Sequence, residues 1–193
     1  MTASKRTDKK PENESLFKWF LQVIVLALVF LGAYFLVFRF VLSNEIVSGS
    51  SMEPTFKDGD RLIANRNPTI NRYDVVVLDA PDSPGTLYIK RVIGLPGDTI
   101  SSKNDVTYIN GKAVKEPYLD EYKKDLPEGQ QFTADFSLQS IFGVEKVPAD
   151  SYFVMGDNRN VSRDSRMIGF IKKSAIEGKV KFRYFPFTRM QFY

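Results

Sequence analysis

The sequence predicts a mostly-β protein held on a single N-terminal transmembrane helix, and three observations carry that prediction. Residues 19–38 read WFLQVIVLALVFLGAYFLVF, an apolar run without a charge. Wound as a helix rising about 1.5 Å per residue, it spans about 30 Å, the hydrocarbon thickness of a bilayer. Beyond it comes a succession of short segments rich in β-branched or aromatic residues, most of them bounded by Gly, Pro, Asp or Asn. No apolar pattern of helical period extends over a dozen residues outside the first run.

Taken in order, residues 1–18 are a polar, basic tail, in which Lys5, Arg6, Lys9, Lys10 and Lys18 outweigh Asp8, Glu12 and Glu14. Only Arg39 stands close behind the apolar run, so the positive-inside bias places the tail in the cytoplasm. Residues 19–40 are then a single-pass anchor in the cell membrane, and residues 43–193 an extracytoplasmic domain. A cleaved signal peptide also begins with charges and an apolar stretch, and Ser48 and Ser50 flank Gly49 in the manner of a cleavage site. The run is about twice the usual length of such a core and is built from bulky Leu, Val and Phe, which favours an uncleaved anchor. Strands are expected at residues 45–48, 61–64, 73–78, 86–94, 99–102, 106–109, 152–155, 168–171 and 179–184. Asn110-Gly111 marks a hairpin turn, because both residues accept positive φ. Residues 112–148 differ: they carry more charge and Pro117, Pro127 and Pro148, and admit only a short helix or loop near 119–124. They read as an insertion within the β body.

The composition narrows the chemistry. The 193 residues include no Cys and no His, which removes disulfides, thiol nucleophiles, imidazole catalysis and zinc sites built on those ligands. Acid–base work must fall to Lys, Asp, Glu or Tyr, and no cofactor or metal is expected. The net charge of +4 lies mostly beside the apolar run, which gives no footprint for nucleic acid.

Three segments could carry a reaction. In Ser48-Gly49-Ser50-Ser51-Met52-Glu53-Pro54-Thr55, Gly49 permits a turn and Pro54 stiffens the end of the segment. Alone, it reads first as an ordinary loop joining anchor to domain. The strand at 86–94 holds Tyr88, Lys90 and Val92 on one face and Ile89, Arg91 and Ile93 on the other. Desolvation between Tyr88 and Val92 would lower the Lys90 pKa, with the charge of Arg91 adding to the effect, and a neutral amine can take a proton from a serine. A lysine that snorkels to water is the competing reading. Residues 156–166, GDNRNVSRDSR, pack acids, bases and hydroxyls densely enough to hold a site by charge-assisted hydrogen bonds. Arg159 and Val161 stand where a calcium loop would need oxygen ligands, so that alternative fails.

In this order, SGSSMEPT, YIKRVIGLPGD and GDNRNVSRDSR, with Gly169-Phe170 behind, resemble the type I signal peptidases, the bacterial membrane serine proteases that remove signal peptides from exported proteins. The resemblance covers most of the chain, and the single span and short insertion look like the Gram-positive members. It implies a coiled antiparallel β-sheet catalytic domain with its catalytic face toward the membrane and a less regular insertion. It also implies Ser51 as nucleophile, Lys90 as general base, Ser162 as the hydroxyl that orients the lysine, and Tyr88 as a groove-lining residue. Arg91, Asp157, Asp164 and Arg166 match the ion-pair scaffold around the site. Gly49 stands where some relatives carry a serine that helps hold the oxyanion, which leaves the Ser51 N–H as the main donor. Asn160 stands where an aspartate is common. The partners implied are secretory preproteins with small residues at −3 and −1, the lipid bilayer and the nearby translocation machinery. A soluble self-cleaving repressor-type protease would share the Ser/Lys chemistry but not the span. A membrane-anchored β module that only binds partners would share the span and predict no loss on replacing Ser51.

Overall fold

In the computed structural model, which describes residues 12–124, 126–127 and 129–193, the chain divides into two units, residues 1–40 and 41–193. The first contains one helix, α1 (Glu12–Phe40). Its segment Leu16–Phe40 is long and apolar enough to cross a membrane and has none of its apolar surface packed away. The basic residues expected before position 12 lie outside the described residues; from Glu12 onward the chain is already helical.

The second unit opens with β1 (Leu42–Ile46), β2 (Arg61–Asn65), β3 (Val75–Asp79) and β4 (Leu87–Gly94). It continues with β5 (Ile100–Lys103), β6 (Val106–Ile109) and β7 (Lys112–Ala113), then the short helix α2 (Asp120–Lys124), β8 (Phe136–Ser137) and α3 (Leu138–Phe142). It closes with β9 (Ser151–Met155), α4 (Ser165–Ile168), β10 (Ile171–Lys172), β11 (Ile176–Phe185) and β12 (Gln191–Phe192). One sheet runs β1-β2-β11-β3-β4-β9-β10 with β12 added to β11, and a smaller one runs β7-β6-β5-β8. Every pairing is antiparallel, and neither sheet closes into a barrel.

Alternation along the central strands explains how the large sheet stays buried on both faces. Val75 and Val77 of β3 enter a core with Met52, Phe56 and Leu62, whereas Val76 and Leu78 enter another with Val92, Tyr152 and Val154. Ile93, Phe153 and Met155 pack a third core against Ile100, Ile109 and Leu138, which joins the small sheet to the large one. The Asn110-Gly111 turn joins β6 to β7 with φ of 51° and 74°.

Two segments depart from the expected elements. A strand at 168–171 is replaced by α4 and the two-residue β10, because Asp164 caps a helical turn and Gly169 ends it at φ 82°. Within 112–148 the short helix near 119–124 is α2, but β7, β8 and α3 also occur there, and the two strands complete the small sheet.

Candidate active site

The Ser51 loop is fixed from below. Met52 and Phe56 are both fully buried in the first core, and Phe56 N–H donates to the Met52 carbonyl at 2.9 Å, closing one tight turn. That turn leaves Ser51 half-buried beside the outer edge of β4. The edge is open for a definite reason: β9 pairs only with the stretch from Arg91 to Gly94, so residues 87–90 have β3 on one side and no strand on the other among the described residues. A cavity of about 310 Å³ occupies this gap, walled by Gly49, Ser51, Leu87, Tyr88, Lys90 and Val161 among others.

Lys90 meets Ser51 here. Its Nζ lies 2.9 Å from Ser51 Oγ and 3.0 Å from the Ile89 carbonyl oxygen, and the residue is only 4% exposed. Burial lowers its pKa from 10.5 to about 8, against the upward pull of Asp164, Asp157 and Asp82. The expected help from Arg91 does not arise, because that guanidinium is committed to Asp157, with Nε and Nη2 donating at 2.8 and 2.6 Å. Burial works against the Arg91 charge, but Asp157 outweighs it and holds its pKa up. The Tyr88 ring stands 5.1 Å from Nζ on the cavity wall.

Gly49 adopts φ +82°, in the region that penalises a side chain, and its N–H donates to Asp58 Oδ1 at 2.8 Å. Ser51 N–H donates no hydrogen bond among the described residues. Ser162 differs from expectation. Its hydroxyl is buried but has no hydrogen-bond partner among the described residues, and the Ile89 carbonyl is what holds the lysine amine beside Ser51.

The remaining scaffold residues form two ion pairs on buried acids. Asp157 accepts from Arg91 and, at 2.5 Å, from the Thr55 hydroxyl, which ties the end of the serine loop to β4. Asp164 accepts from Gly156 N–H at 2.9 Å and from Arg166 Nε and Nη2, both at 2.9 Å. Asn158 N–H donates to the Ser51 carbonyl at 3.0 Å, so the loop after β9 grips the Ser51 loop directly.

Several contributors are not legible in the sequence. Arg183 of β11 donates to the Thr55 carbonyl at 2.5 Å and pairs with buried Asp60, bracing the serine loop from the opposite end of the chain. Arg159 is paired with Glu116 of the expected insertion. A buried charge needs a partner, so each of these residues had a signal, but only the fold says which acid meets which base.

A family model described as "Signal peptidase, peptidase S26" matches residues 16–185. Among the relatives, Signal peptidase I of Bacillus caldolyticus is 44% identical over 190 residues, 96% of this chain and 98% of that one. Signal peptidase I T of Bacillus subtilis is 40% identical over 98% of this chain and 95% of the relative. A solved signal peptidase I from Enterococcus faecalis superposes with a TM-score of 0.56 at 37% identity, covering 58% of this chain and 97% of that structure.

Proposed function

This chain belongs to the signal peptidase family, peptidase S26, a hydrolase that removes signal peptides as a serine protease, and we propose that Ser51 is its nucleophile and Lys90 its general base. The observation that carries the proposal is the 2.9 Å contact between a desolvated lysine amine and a serine hydroxyl in an open cavity. With its pKa brought down to about 8, Lys90 is neutral in an appreciable fraction of molecules near neutral pH. The Ile89 carbonyl retains one N–H, which leaves the lone pair for the Ser51 proton. Ser51 Oγ then attacks the scissile carbonyl, and the ammonium returns the proton to the leaving amine. The Ser51 N–H, which donates no hydrogen bond among the described residues, is the donor for the oxyanion. Ser162, whose buried hydroxyl has no partner among the described residues, is our proposed acceptor for the ammonium form of Lys90 during turnover.

The open edge of residues 87–90 suits an extended peptide added as a strand. Its side chains at −1 and −3 point the same way, toward a cavity narrowed by Tyr88, Met52 and Val161, which favours small residues. The substrates are secretory preproteins. With α1 as anchor and its N-terminus in the cytoplasm, the catalytic unit lies outside, in the bilayer's neighbourhood and close to the translocation machinery. From Phe38 to Ser51 the chain reaches at most about 45 Å, so enzyme and emerging cleavage site share one surface.

The test is cleavage of a preprotein by the detergent-solubilised full chain, with the new N-terminus sequenced. Ser51→Ala should lower the rate at least a thousandfold or so; a parental rate would remove the nucleophile assignment.

A further inference from the structure

We propose that Glu116 is a positioning residue for this hydrolysis, acting through Arg159 on the backbone that carries Ser51. The proposal rests on the assignment of Ser51 and Lys90 as nucleophile and base. Glu116 contacts neither of those residues. It belongs to residues 112–148, the segment that the sequence marks as a less regular excursion.

Glu116 is buried and both of its oxygens are used. Oε1 accepts from Tyr118 Oη at 2.6 Å and from Arg159 Nη2 at 2.5 Å; Oε2 accepts from Thr107 Oγ1 at 2.7 Å and from Arg159 Nη1 at 3.4 Å. Arg159 is itself only 3% exposed, and with its fork held by Glu116 its Nε donates to the Gly156 carbonyl at 3.0 Å. The Gly156 N–H is meanwhile held by Asp164 at 2.9 Å. Both sides of Gly156 are therefore fixed by buried charged groups.

This residue adjoins the nucleophile. A methyl group added at Gly156 would collide with the Ser51 carbonyl oxygen and Ser162 Oγ. Two residues on, Asn158 donates from its backbone to the Ser51 carbonyl at 3.0 Å and from Nδ2 to the Ser50 carbonyl at 3.2 Å. A displacement of Arg159 is transmitted through Gly156 and Asn158 to Ser51 in two hydrogen-bonded steps. A second route reaches the lysine strand: the Tyr118 ring, oriented by Glu116, lies 4.1 Å from the Arg91 guanidinium, which neighbours Lys90 and pairs with Asp157.

The alternative, a plain buried ion pair, explains the stability of the small sheet but gives no reason for Arg159 Nε to be spent on Gly156. Without the Glu116 charge the buried Arg159 cation is left with the attraction of Asp157, the carboxylate that Arg91 needs, and the Gly156 carbonyl loses its donor as the guanidinium shifts. Burial pushes the Glu116 pKa up, but Arg159 outweighs it and holds the carboxyl below its ordinary value, so the charge is present throughout the working pH range.

The experiment measures kcat and KM of the full chain on a synthetic signal-peptide substrate, well below the melting temperature of each variant. Glu116→Gln should lower kcat about tenfold and leave KM within about twofold, since misplacing the reacting atoms costs rate more than binding. Glu116→Asp, which keeps the charge, should recover most of the loss, and exposed Glu145→Gln should behave as the parent. A merely structural role would give parental kcat in the folded fraction, or no rescue by Asp, and either result overturns the proposal. Should Glu116→Gln fail to fold, Arg159→Lys keeps the cation but cannot span Gly156 and Glu116 together. It should show the same loss in kcat, and a parental kcat there overturns the proposal equally. Ser51→Ala run alongside separates the two readings: if it is inactive while Glu116→Gln is parental, only the Glu116 role is lost.

Discussion

At the scale of single residues, the proposed general base is a lysine that the fold makes uncomfortable. Moving its pKa from 10.5 to about 8 costs the folded state roughly 3 kcal/mol wherever the folded lysine is charged. Proton counts set the sign. Between about pH 8 and 10.5 the unfolded chain binds more protons at this site than the folded one, so Lys90's contribution to stability rises with pH across that window. Below about pH 8 the full penalty is present. Lys90→Met, which keeps the bulk and removes the charge, should be inactive yet more stable than the parent at pH 7 by up to that amount, with the difference shrinking above pH 8. Denaturant titrations at pH 7 and pH 10 check this, and a Met variant less stable at pH 7 would mean that the amine is not desolvated. Ser162 has the same character, because its buried hydroxyl is unpaired among the described residues, and an orphan polar group costs about 1–3 kcal/mol. Ser162→Ala should therefore not lower the melting temperature, while its kcat falls, by less than in Lys90→Ala.

At the scale of elements, the catalytic geometry depends on loops clamped between strands. Gly156 follows β9 directly, and a Cβ added there would collide with Ser162 Oγ and the Ser51 carbonyl oxygen. Gly156→Ala should cost about a hundredfold in kcat and about 1–3 kcal/mol of stability; parental turnover would show that the serine loop moves freely. The sequence made one part of this arrangement legible and not the other. Strands β4, β6 and β9 are readable because each is a short run with β-branched or aromatic residues ended by Gly or Asn, and the three polar boxes are readable because their residue types are unusual side by side. The Lys90–Ser51 approach and the pairing of Arg91 with Asp157 depend on β3 and β9 flanking β4, which no local pattern encodes. Residues 168–171 looked like a strand because Ile168, Phe170 and Ile171 are apolar, but the Asp164 cap acts first and turns the chain into α4. Glu116 was invisible because a lone acid beside a proline reads as a loop until Arg159 is brought to it from more than forty residues away.

At the scale of the whole molecule, a membrane-anchored enzyme of this family is expected to use its helix mainly for proximity. Removal of residues 1–40 should reduce turnover of membrane-bound preproteins far more than that of short soluble peptides, because the tether raises the local concentration of a shared surface site. Equal losses on both substrates would mean that the helix supports the catalytic unit itself. Chelators and thiol reagents should leave the rate unchanged, since the chain has neither Cys nor His and the proposed chemistry uses a hydroxyl and an amine. Activity restored by added zinc or calcium after EDTA would count against that. The central claim, a serine activated by a neutral lysine, is tested most directly by the pH–rate profile of the parent beside Lys90→Arg. The parent should climb with pH through an inflection near 8, and the arginine variant, whose guanidinium stays charged at every accessible pH, should remain nearly inactive throughout. A Lys90→Arg enzyme working at near-parental rate at pH 8 would contradict the account and move the base to a carboxylate such as Asp157 or Asp164.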